Sequence, residues 1–447
     1  MNIALFGCGP HAKRIYVQYM LTHEITPSLI VDVVGSRNEI EKIISDNGWG
    51  NTKTFFVSGS DPYVAFTQSE RAELIHIIND ESIDKAIIST PPEVHVPYTE
   101  LCLEAGAKVL IDKPLSAPRN VSVGNADQIV KDLEDLLKYD QGDNIVIQCQ
   151  RRRHQGYQFI KDTIDSLDQE YGLQPHFIDV YHSDGRWDFP DEIPKLSNHP
   201  YAYGYGKLLH SGYHFVDLVC FLTEGFDYDT YNLTAYANTI HDFKTQIPDI
   251  FYKQTFNINN TYVFPEEGFG EIDCHSLIQL QRGGRTITTI AMNLLHTGFS
   301  RRAWGKAKDD LYKGNGRLRH ERVNIQIGPL MNIQVHSYQS TEVHDVDQPA
   351  RTECGGLEHF DIHIYRNADL IGGKPYELIT LDELEKSSRV LGSVGQNERA
   401  RYQLVTDFLG DRPSHSSISS HLRTNVLLAA IAKSMHRRHE IRGDLNI

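Results

Sequence analysis

The sequence predicts an α/β protein: a doubly wound parallel sheet at the N-terminus, then a second domain built on an open, mostly antiparallel sheet. Two patterns along the chain indicate this. Up to about residue 150, short apolar runs alternate with helical segments, which requires crossover connections and therefore parallel strands. Beyond residue 150 the extended segments become longer, which is typical of an antiparallel sheet with one open face.

The elements of the first part follow from apolar runs that end at glycine, proline or polar residues. Strands are predicted over residues 2–6, 29–34, 54–57, 85–89, 107–111 and 144–148. Helices are predicted after the first strand, where Ala12, Ile15, Tyr16 and Tyr19 share a face, and over about 71–79, 96–105 and 124–139. Residues 1–125 are assigned to the first domain. The strand over 144–150 is a candidate to complete the sheet of that domain.

Residues 126–447 are assigned to the second domain. Its extended segments are predicted over 173–181, 277–280, 286–293, 323–327 and 331–337, and a last apolar helix over about 422–436. Because the open face of an antiparallel sheet needs cover, we expect a homo-oligomer, a dimer or tetramer, that uses this face.

Composition narrows the class of partner. The 44 basic and 59 acidic side chains give a net charge of −15, which argues against nucleic acid or an anionic membrane as the main partner. The six cysteines are scattered without a Cys-x-x-Cys pair, which indicates a reducing compartment. No signal peptide and no apolar run of about 18 residues is visible, so we expect a cytoplasmic protein with a small-molecule substrate.

A phosphate turn, defined as Gly7 to Ala12, follows the first strand and opens a helix. Gly7 makes the tight turn, Gly9 lets the backbone approach a pyrophosphate, and small Ala12 lets the helix pack on the strand. Pro10 and His11 lie at the helix start, whose amide groups and dipole favour phosphate. The alternative is a tight turn without a ligand.

The end of the second strand indicates which dinucleotide binds. No carboxylate follows the strand there; Ser36 and Arg37 do, and they suit a 2′-phosphate better than a 2′-hydroxyl. The sequence therefore favours NADP over NAD, although Arg37 is also explained as a solvated residue at a helix start.

Two further segments carry candidate chemistry. Lys113 directly follows the strand over 107–111, at the sheet edge where open α/β sheets bind ligands; a solvated lysine is the alternative. Downstream, His210, His214 and Asp217 share a helical face. The histidines are open to three interpretations: a zinc pair, although no third ligand with a metal signature lies nearby; core histidines; or a general acid/base.

Together these segments resemble the Gfo/Idh/MocA family of oxidoreductases. The shared motifs are the Gly7-x-Gly9 turn, Ser89-Thr90-Pro91-Pro92-Glu93-Val94-His95, Asp112-Lys113-Pro114 in place of Glu-Lys-Pro, and Gly206-x-x-x-x-x-Gly212-x-His214-x-x-Asp217. The resemblance covers about the first half of the chain, and the last helix is also similar. It implies a Rossmann domain followed by an α/β domain on an open, mostly antiparallel sheet.

The resemblance also implies roles for particular residues. Lys113 and His214 correspond to the family's catalytic lysine and histidine, and the nicotinamide would lie near Thr90, Pro91, His95 and Lys113. His210 stands where the family has an aspartate. We expect a neutral His210 that hydrogen-bonds substrate or His214, because the Lys113 cation disfavours a second positive charge. No metal is expected.

Two basic stretches are open to two interpretations each. Arg152 and Arg153 follow the sixth strand, where the family's segment runs along the cleft floor, so they either reach substrate or form a solvated turn. The stretch over 300–320, with Trp304 for sugar stacking, either holds an anionic substrate or is a surface loop.

The resulting hypothesis is an NAD(P)-dependent oxidoreductase that acts on a sugar, cyclitol or related polyol, with Lys113 and His214 as its catalytic pair. Two alternatives stay open: a cofactor-binding regulatory or sensor protein without turnover, and a lyase or hydrolase that retains its cofactor and oxidises its substrate transiently.

Overall fold

A computed structural model describes residues 1–59, 61, 63–140, 142–184, 201–239, 268–299, 318–340, 358–385, 395–437 and 441–444. These residues form two compact units, and each is considered by itself. The first unit comprises Met1–Arg119, Asp127–His154 and Ser393–Asn425, and the second comprises Asn120–Ala126, Gln155–Gly392 and Val426–Ile447. The units are thus discontinuous in sequence, whereas the sequence-based assignment used one boundary after residue 125.

Six parallel strands form the sheet of the first unit, in the order β3-β2-β1-β4-β5-β6. They are β1 Ile3–Phe6, β2 Leu29–Val33, β3 Lys53–Val57, β4 Lys85–Ile88, β5 Lys108–Asp112 and β6 Ile145–Gln148. This order is that of a doubly wound dinucleotide-binding sheet, so the predicted fold of the first domain is confirmed. The central strands β1 and β4 are buried along their whole length, as strands covered on both faces should be.

The second unit is built on a nine-stranded sheet with the order β14-β13-β12-β11-β7-β10-β9-β8-β15. The strands are β7 Phe177–Ser183, β8 Thr230–Asn238, β9 Asp273–Arg282, β10 Arg285–Leu295, β11 Leu318–Ile327, β12 Met331–Ser340, β13 Glu358–Arg366, β14 Tyr376–Thr380 and β15 Ile441–Asp444. Strands β7 and β10 pair in parallel, and the other described neighbours are antiparallel. The prediction of a mostly antiparallel sheet is therefore confirmed.

The α-helices are α1 Pro10–Ala12, α2 Gln18–Thr22, α3 Arg37–Asp46, α4 Gln68–Asp80, α5 His95–Glu104, α6 Asp127–Leu137, α7 Gln155–Tyr171, α8 Tyr213–Leu222, α9 Ala368–Ile371, α10 Leu381–Glu385, α11 Gln396–Leu409 and α12 Leu422–Arg437. A π-helical turn over Lys13–Val17 joins α1 to α2, and another over Leu208–Gly212 precedes α8. Helix α4 begins before the predicted residue 71 because Thr67 and Glu70 form a reciprocal capping box. Within the described ranges, no helix has the length and apolar character needed to cross a membrane.

Candidate cofactor and substrate sites

Gly7 and Gly9 shape the phosphate turn after β1. Gly7 has a φ of +81°, and a Cβ built there would lie 2.6 Å from the Ser89 carbonyl oxygen, so a larger residue is strained. A Cβ at Gly9 would meet no atom within 4 Å. Gly9 therefore borders open space, as expected where the backbone approaches a pyrophosphate.

The helix that follows this turn begins without a side-chain cap. Gly9 is its N-cap residue and Pro10 its first helical residue, and among the described residues the N-cap position has no side-chain cap hydrogen bond. Uncapped amides at a helix N-terminus carry partial positive charge and bind phosphate. The residues present therefore fit the pyrophosphate of a dinucleotide, as the sequence predicts.

The end of β2 carries Asp32, and Ser36 and Arg37 follow the strand. The Asp32 carboxylate accepts hydrogen bonds from the backbone amides of Cys8, at 2.8 Å, and Val33, at 2.7 Å, so it holds the turn against β2. Beyond it, Ser36 ends a 3₁₀ turn and Arg37 begins α3. Arg37 is exposed and lies over the Phe56 ring, with its guanidinium carbon 4.2 Å from the ring centroid.

A buried carboxylate lies at the C-terminal end of β5. Asp112 accepts hydrogen bonds from the hydroxyl of Tyr16 and from that of Ser89, the latter at 2.5 Å, and its Oδ2 is 3.7 Å from His11 Nε2. Burial alone would raise the pKa of Asp112, but His11, Ser89 and Tyr16 outweigh it and hold that pKa well below its usual range. Asp112 is therefore an anion that ties β5 to β4 and to the first helix.

Lys113 follows Asp112 and is partly exposed. Its enclosure, and secondly the charge of Arg401, lower the pKa of Lys113 to about 8, whereas Asp112 opposes this shift. Both the ammonium form and the neutral amine are therefore accessible close to neutral pH. Such a lysine can stabilise a developing anion or exchange a proton.

The loop after β4 contributes three side chains to the same sheet edge. The ring nitrogens of His95 lie 2.9 Å from the carbonyl oxygens of Thr90 and Pro114, so His95 joins the loops that follow β4 and β5. The Thr90 hydroxyl is buried and has no hydrogen-bond partner among the described residues, which suits a polar group of a bound cofactor. Burial raises the pKa of Glu93 to about 7, a property that the sequence analysis missed.

In the second unit, two glycines allow a close approach between chain segments. A Cβ at Gly206 would lie 2.4 Å from Glu271, and one at Gly270 would lie 2.3 Å from the Gly206 nitrogen. The contact lets the Glu271 carboxylate accept a hydrogen bond from the Leu208 amide at 2.6 Å. Burial raises the pKa of Glu271 to about 7.

His210 and His214 lie on two consecutive helical segments. His210 is in the π-helical turn over Leu208–Gly212, and His214 is in the first turn of α8. His214 is 6% exposed and Asp217, one turn further, is fully buried. A π-helical turn is often found at functional sites because it shifts the direction of the side chains that it carries.

His210 belongs to a group that we call the Asp184 cluster, which consists of Asp184, His210 and His296. The His296 Nε2 atom lies 3.3 Å from His210 Nδ1 and 3.6 Å from Asp184 Oδ2, and His210 Nδ1 lies 3.9 Å from the same Oδ2. Asp184 and His296 follow the parallel strands β7 and β10, whose last residues Ser183 and Leu295 are register partners. Sequence analysis missed both residues because nothing in the sequence pairs these two strands.

Comparisons with known proteins agree with the dinucleotide-binding fold of the first unit. Residues 1–138 match the sequence profile of the oxidoreductase family with an NAD-binding Rossmann fold, Gfo/Idh/MocA. This part of the chain is therefore similar to the NAD-binding domain of that family. A shorter similarity, 44% identity over 41 residues, is found to the uncharacterized oxidoreductase YdgJ of Escherichia coli (strain K12), and it spans 9% of this chain and 12% of that protein.

Solved structures extend the similarity of fold to the whole chain. The aldose-aldose oxidoreductase from Caulobacter crescentus, complexed with glycerol, has a TM-score of 0.60 at 14% identity, covering 99% of both chains. An oxidoreductase from Agrobacterium radiobacter, in complex with NAD+, L-tartaric acid and magnesium, has a TM-score of 0.58 at 13% identity, covering 100% of this chain and 98% of that one. At these identities the likeness shows a shared fold alone.

The arginines after β6 have structural partners within the first unit. Arg152 is fully buried, and its guanidinium donates hydrogen bonds, each 3.0 Å, to the His415 carbonyl and to the hydroxyl and carbonyl of Ser420. Arg153 forms an ion pair with the buried Asp407. The structure therefore assigns Arg152 and Arg153 to packing within the first unit, in place of the predicted contact with substrate.

The remaining predicted substrate residues have two different outcomes. Asp217 lies on α8 and is fully buried within the second unit. Trp304 lies outside the described residues, together with the rest of the stretch over 300–317.

Proposed function

We propose that this chain is an NAD(P)-dependent oxidoreductase that moves a hydride between nicotinamide and a secondary alcohol or carbonyl of a sugar, cyclitol or sugar derivative. The observation that carries the proposal is Lys113, which stands at the C-terminal edge of a dinucleotide-binding sheet with its pKa lowered to about 8. The family of the N-terminal domain supports the reaction class. The aldose-aldose oxidoreductase among the structural neighbours supports a sugar-like substrate.

The nicotinamide, when bound, supplies the hydride acceptor or donor. Residues of the chain bind the cofactor, stabilise charge and position the loops. The phosphate turn holds the pyrophosphate on uncapped amides, and Thr90 offers a buried hydroxyl at the sheet edge. The Lys113 ammonium stabilises negative charge as it develops on the reacting oxygen of the substrate. His95 keeps the loops that carry Thr90 and Lys113 in place.

We assign the proton transfer to His214, the other member of the proposed catalytic pair. Histidine changes charge near neutral pH, so it can take the hydroxyl proton in oxidation and return it in reduction. A positioned acid or base contributes roughly 10²–10⁴-fold to a rate. His210, the third predicted catalytic residue, belongs to the Asp184 cluster and is considered in the next subsection.

The test uses the purified full chain, NAD+ and NADP+, and a panel of sugars, cyclitols and their phosphates. Turnover is followed by the absorbance of reduced nicotinamide. Lys113→Met and His214→Asn should each lower kcat by roughly 10²–10⁴-fold while cofactor binding persists. Lys108→Met is the matched control, because Lys108 begins the same strand β5 and is partly exposed.

Near-wild-type rates in the His214→Asn protein would refute the catalytic assignment. Reduced nicotinamide that co-purifies with the protein and never turns over would favour a lyase or hydrolase with transient oxidation. Cofactor binding with no turnover on any member of the panel would favour a sensor.

We also propose that the cofactor is NADP in preference to NAD. Both carboxylate oxygens of Asp32 accept hydrogen bonds from backbone amides of the turn and the strand. Ser36 and the exposed Arg37 follow the end of β2. A hydroxyl and a guanidinium suit the additional 2′-phosphate. The ratio of kcat/KM for NADP+ and NAD+ measures this preference, and a ratio below one would contradict it.

We propose a cytoplasmic homo-oligomer as the working form of the enzyme. Cys8, Cys102 and Cys274 are buried and are not in disulfides, as in a reducing compartment. On the open sheet face, Tyr236 of β8 is 63% exposed and Leu277 of β9 is 50% exposed. Light scattering should give a dimer or tetramer that Leu277→Asp weakens, and a monomer at micromolar concentration would contradict the assignment.

A further inference from the structure

We propose that the Asp184 cluster is a binding site for one divalent transition-metal ion of the zinc type, with Asp184, His210 and His296 as its protein ligands. This inference goes beyond the proposed oxidoreductase activity and does not rest on it. It reverses the sequence-based expectation that no metal is bound, because the structure brings Asp184 and His296 to His210, whereas the sequence considered only His210 with His214.

The spacing of the donor atoms fits such an ion. A tetrahedral zinc ion with ligand bonds of roughly 2.0–2.1 Å separates its donors by roughly 3.3–3.4 Å. The three separations in the Asp184 cluster are 3.3, 3.6 and 3.9 Å, so small side-chain movements would complete the geometry. Among the described residues, Asp184, His210 and His296 are the group whose donor atoms converge in this way.

Neighbouring groups orient two of the three ligands. The Tyr201 hydroxyl is hydrogen-bonded to His296 Nδ1, on the opposite side of the ring from Nε2. Lys207, which is fully buried, lies 3.4 Å from Asp184 Oδ1, the carboxylate oxygen outside the cluster. Partners of this kind fix the tautomer and direction of metal ligands.

The elements that carry the cluster hold it in place. Asp184 and His296 follow two paired strands and are 1% and 2% exposed, respectively, whereas His210, on the π-helical turn, is 13% exposed. The ion would therefore be enclosed on the sheet side. Three protein ligands leave a fourth position for water or another oxygen. The Ser211 hydroxyl, on the same turn as His210, donates a hydrogen bond to Asp184 Oδ2 at 3.3 Å.

The donor set decides the class of ion. Two imidazoles and one carboxylate favour zinc, iron or a similar divalent ion over magnesium or calcium, which prefer oxygen ligands. In the absence of an ion, a proton between His296 Nε2 and His210 Nδ1 can hold the two rings at 3.3 Å. An ion bound to both rings takes the place of that proton.

Isothermal titration of the chelator-treated full chain with Zn²⁺ alone tests this. We expect saturable binding of one ion per chain, and no saturable binding of Mg²⁺ at the same site. Asp184→Asn and His296→Gln should each weaken Zn²⁺ binding by more than the roughly 10–100-fold expected for the outer-shell variant Tyr201→Phe. With Co²⁺ as the probe, a visible ligand-field band should appear in wild type and be lost in Asp184→Asn.

His363→Asn is the matched control, since it removes one histidine of a partly exposed pair in which the His336 and His363 rings are 5.3 Å apart. Zn²⁺ binding that survives Asp184→Asn and His296→Gln, or that His363→Asn abolishes, would overturn the proposal. So would the absence of saturable binding. If circular dichroism shows that Asp184→Asn does not fold, Tyr201→Phe and His210→Asn provide the same comparison, and unchanged affinity in both would overturn the site.

Discussion

The two units carry their candidate chemistry in different ways. In the first unit the phosphate turn and the pair Asp112 and Lys113 are each contiguous in sequence, and backbone conformation does much of the work. In the second unit the Asp184 cluster joins side chains from three elements, with His210 and His296 separated by 86 positions. A site of the first kind leaves a local motif in the sequence, whereas one of the second kind depends on which strands pair.

The largest expected effect tests whether the first unit depends on backbone conformation. In Gly7→Ala the Cβ would lie 2.6 Å from the Ser89 carbonyl oxygen at a φ of +81°, so we expect a loss of about 3 kcal/mol in the free energy of unfolding and loss of cofactor binding. In Gly9→Ala the Cβ meets no atom, so stability should fall by less than about 1 kcal/mol.

Gly9→Ala should nevertheless weaken the cofactor by at least about tenfold, because the methyl group enters the space that the pyrophosphate would occupy. Urea unfolding and cofactor titration of both variants separate the two effects. Equal stability of the two variants, or unchanged cofactor affinity in Gly9→Ala, would contradict the assignment of these two glycines.

This contrast also explains how much of the molecule the sequence could predict. All six strands of the first unit were predicted, because each is an apolar run with a turn residue after it. In the second unit, β8, β13, β14 and β15 were not, although Tyr231, Leu233 and Ala235 of β8 are buried at alternate positions and were a usable signal. Helix α7 was also missed, although Tyr157, Ile160, Ile164 and Leu167 are buried at helical spacing and were a usable signal.

The sites show the same difference. Lys113 was predicted because it follows a strand directly, whereas its lowered pKa depends first on burial and then on Arg401, nearly 300 positions away. Arg152 was predicted as a substrate contact from a basic run, and only the folded chain reveals that His415 and Ser420 engage its guanidinium. The local sequence therefore predicts where a side chain lies in the fold, whereas its protonation and its partners depend on residues that are distant in sequence.

The second expected effect tests the buried carboxylate of the second unit. Burial raises the pKa of Glu271 from 4.5 to about 7, so wild-type stability should fall as the pH rises between these values, because folding opposes ionisation. Glu271→Gln keeps the acceptor for the Leu208 amide without the charge. We expect the free energy of unfolding of Glu271→Gln to exceed that of wild type by about 2 kcal/mol at about pH 8 and by almost nothing near pH 4. The value at pH 8 is smaller than the full pKa shift would give, because Glu271 is partly exposed.

Urea unfolding of wild type and Glu271→Gln at both pH values measures this gain. Glu224→Gln, also in the second unit, is the control for the exchange of a glutamate for a glutamine. A gain that is the same at both pH values would mean that packing, and not ionisation of Glu271, is responsible.

A smaller effect concerns the pH dependence of the proposed reaction. If the Lys113 ammonium is the active form, kcat/KM should be maintained below pH 8 and fall above it, since the pKa of Lys113 is about 8. Arg401 lowers this pKa, so in Arg401→Gln the falling limb should move to higher pH by up to about one unit. Arg399→Gln, on the same helix α11, should leave the limb in place, and a limb that moves down in Arg401→Gln would contradict the assignment to Lys113.

The smallest effect concerns Arg37, whose role in the first unit depends on a side chain and not on the backbone. Arg37 is exposed and already lies over Phe56, so the guanidinium is held near the end of β2 before any cofactor arrives. Arg37→Ala should raise the KM for NADP+ by about tenfold, as the loss of one exposed charged contact to phosphate would, and leave the KM for NAD+ unchanged. Arg71→Ala, on helix α4, is the control, and steady-state kinetics with both cofactors measure the ratio. An equal rise in the KM for NAD+ and for NADP+ would show that Arg37 supports the fold at the end of β2 and does not bind the 2′-phosphate. The selectivity of the first unit between the two cofactors would then depend on its backbone as well.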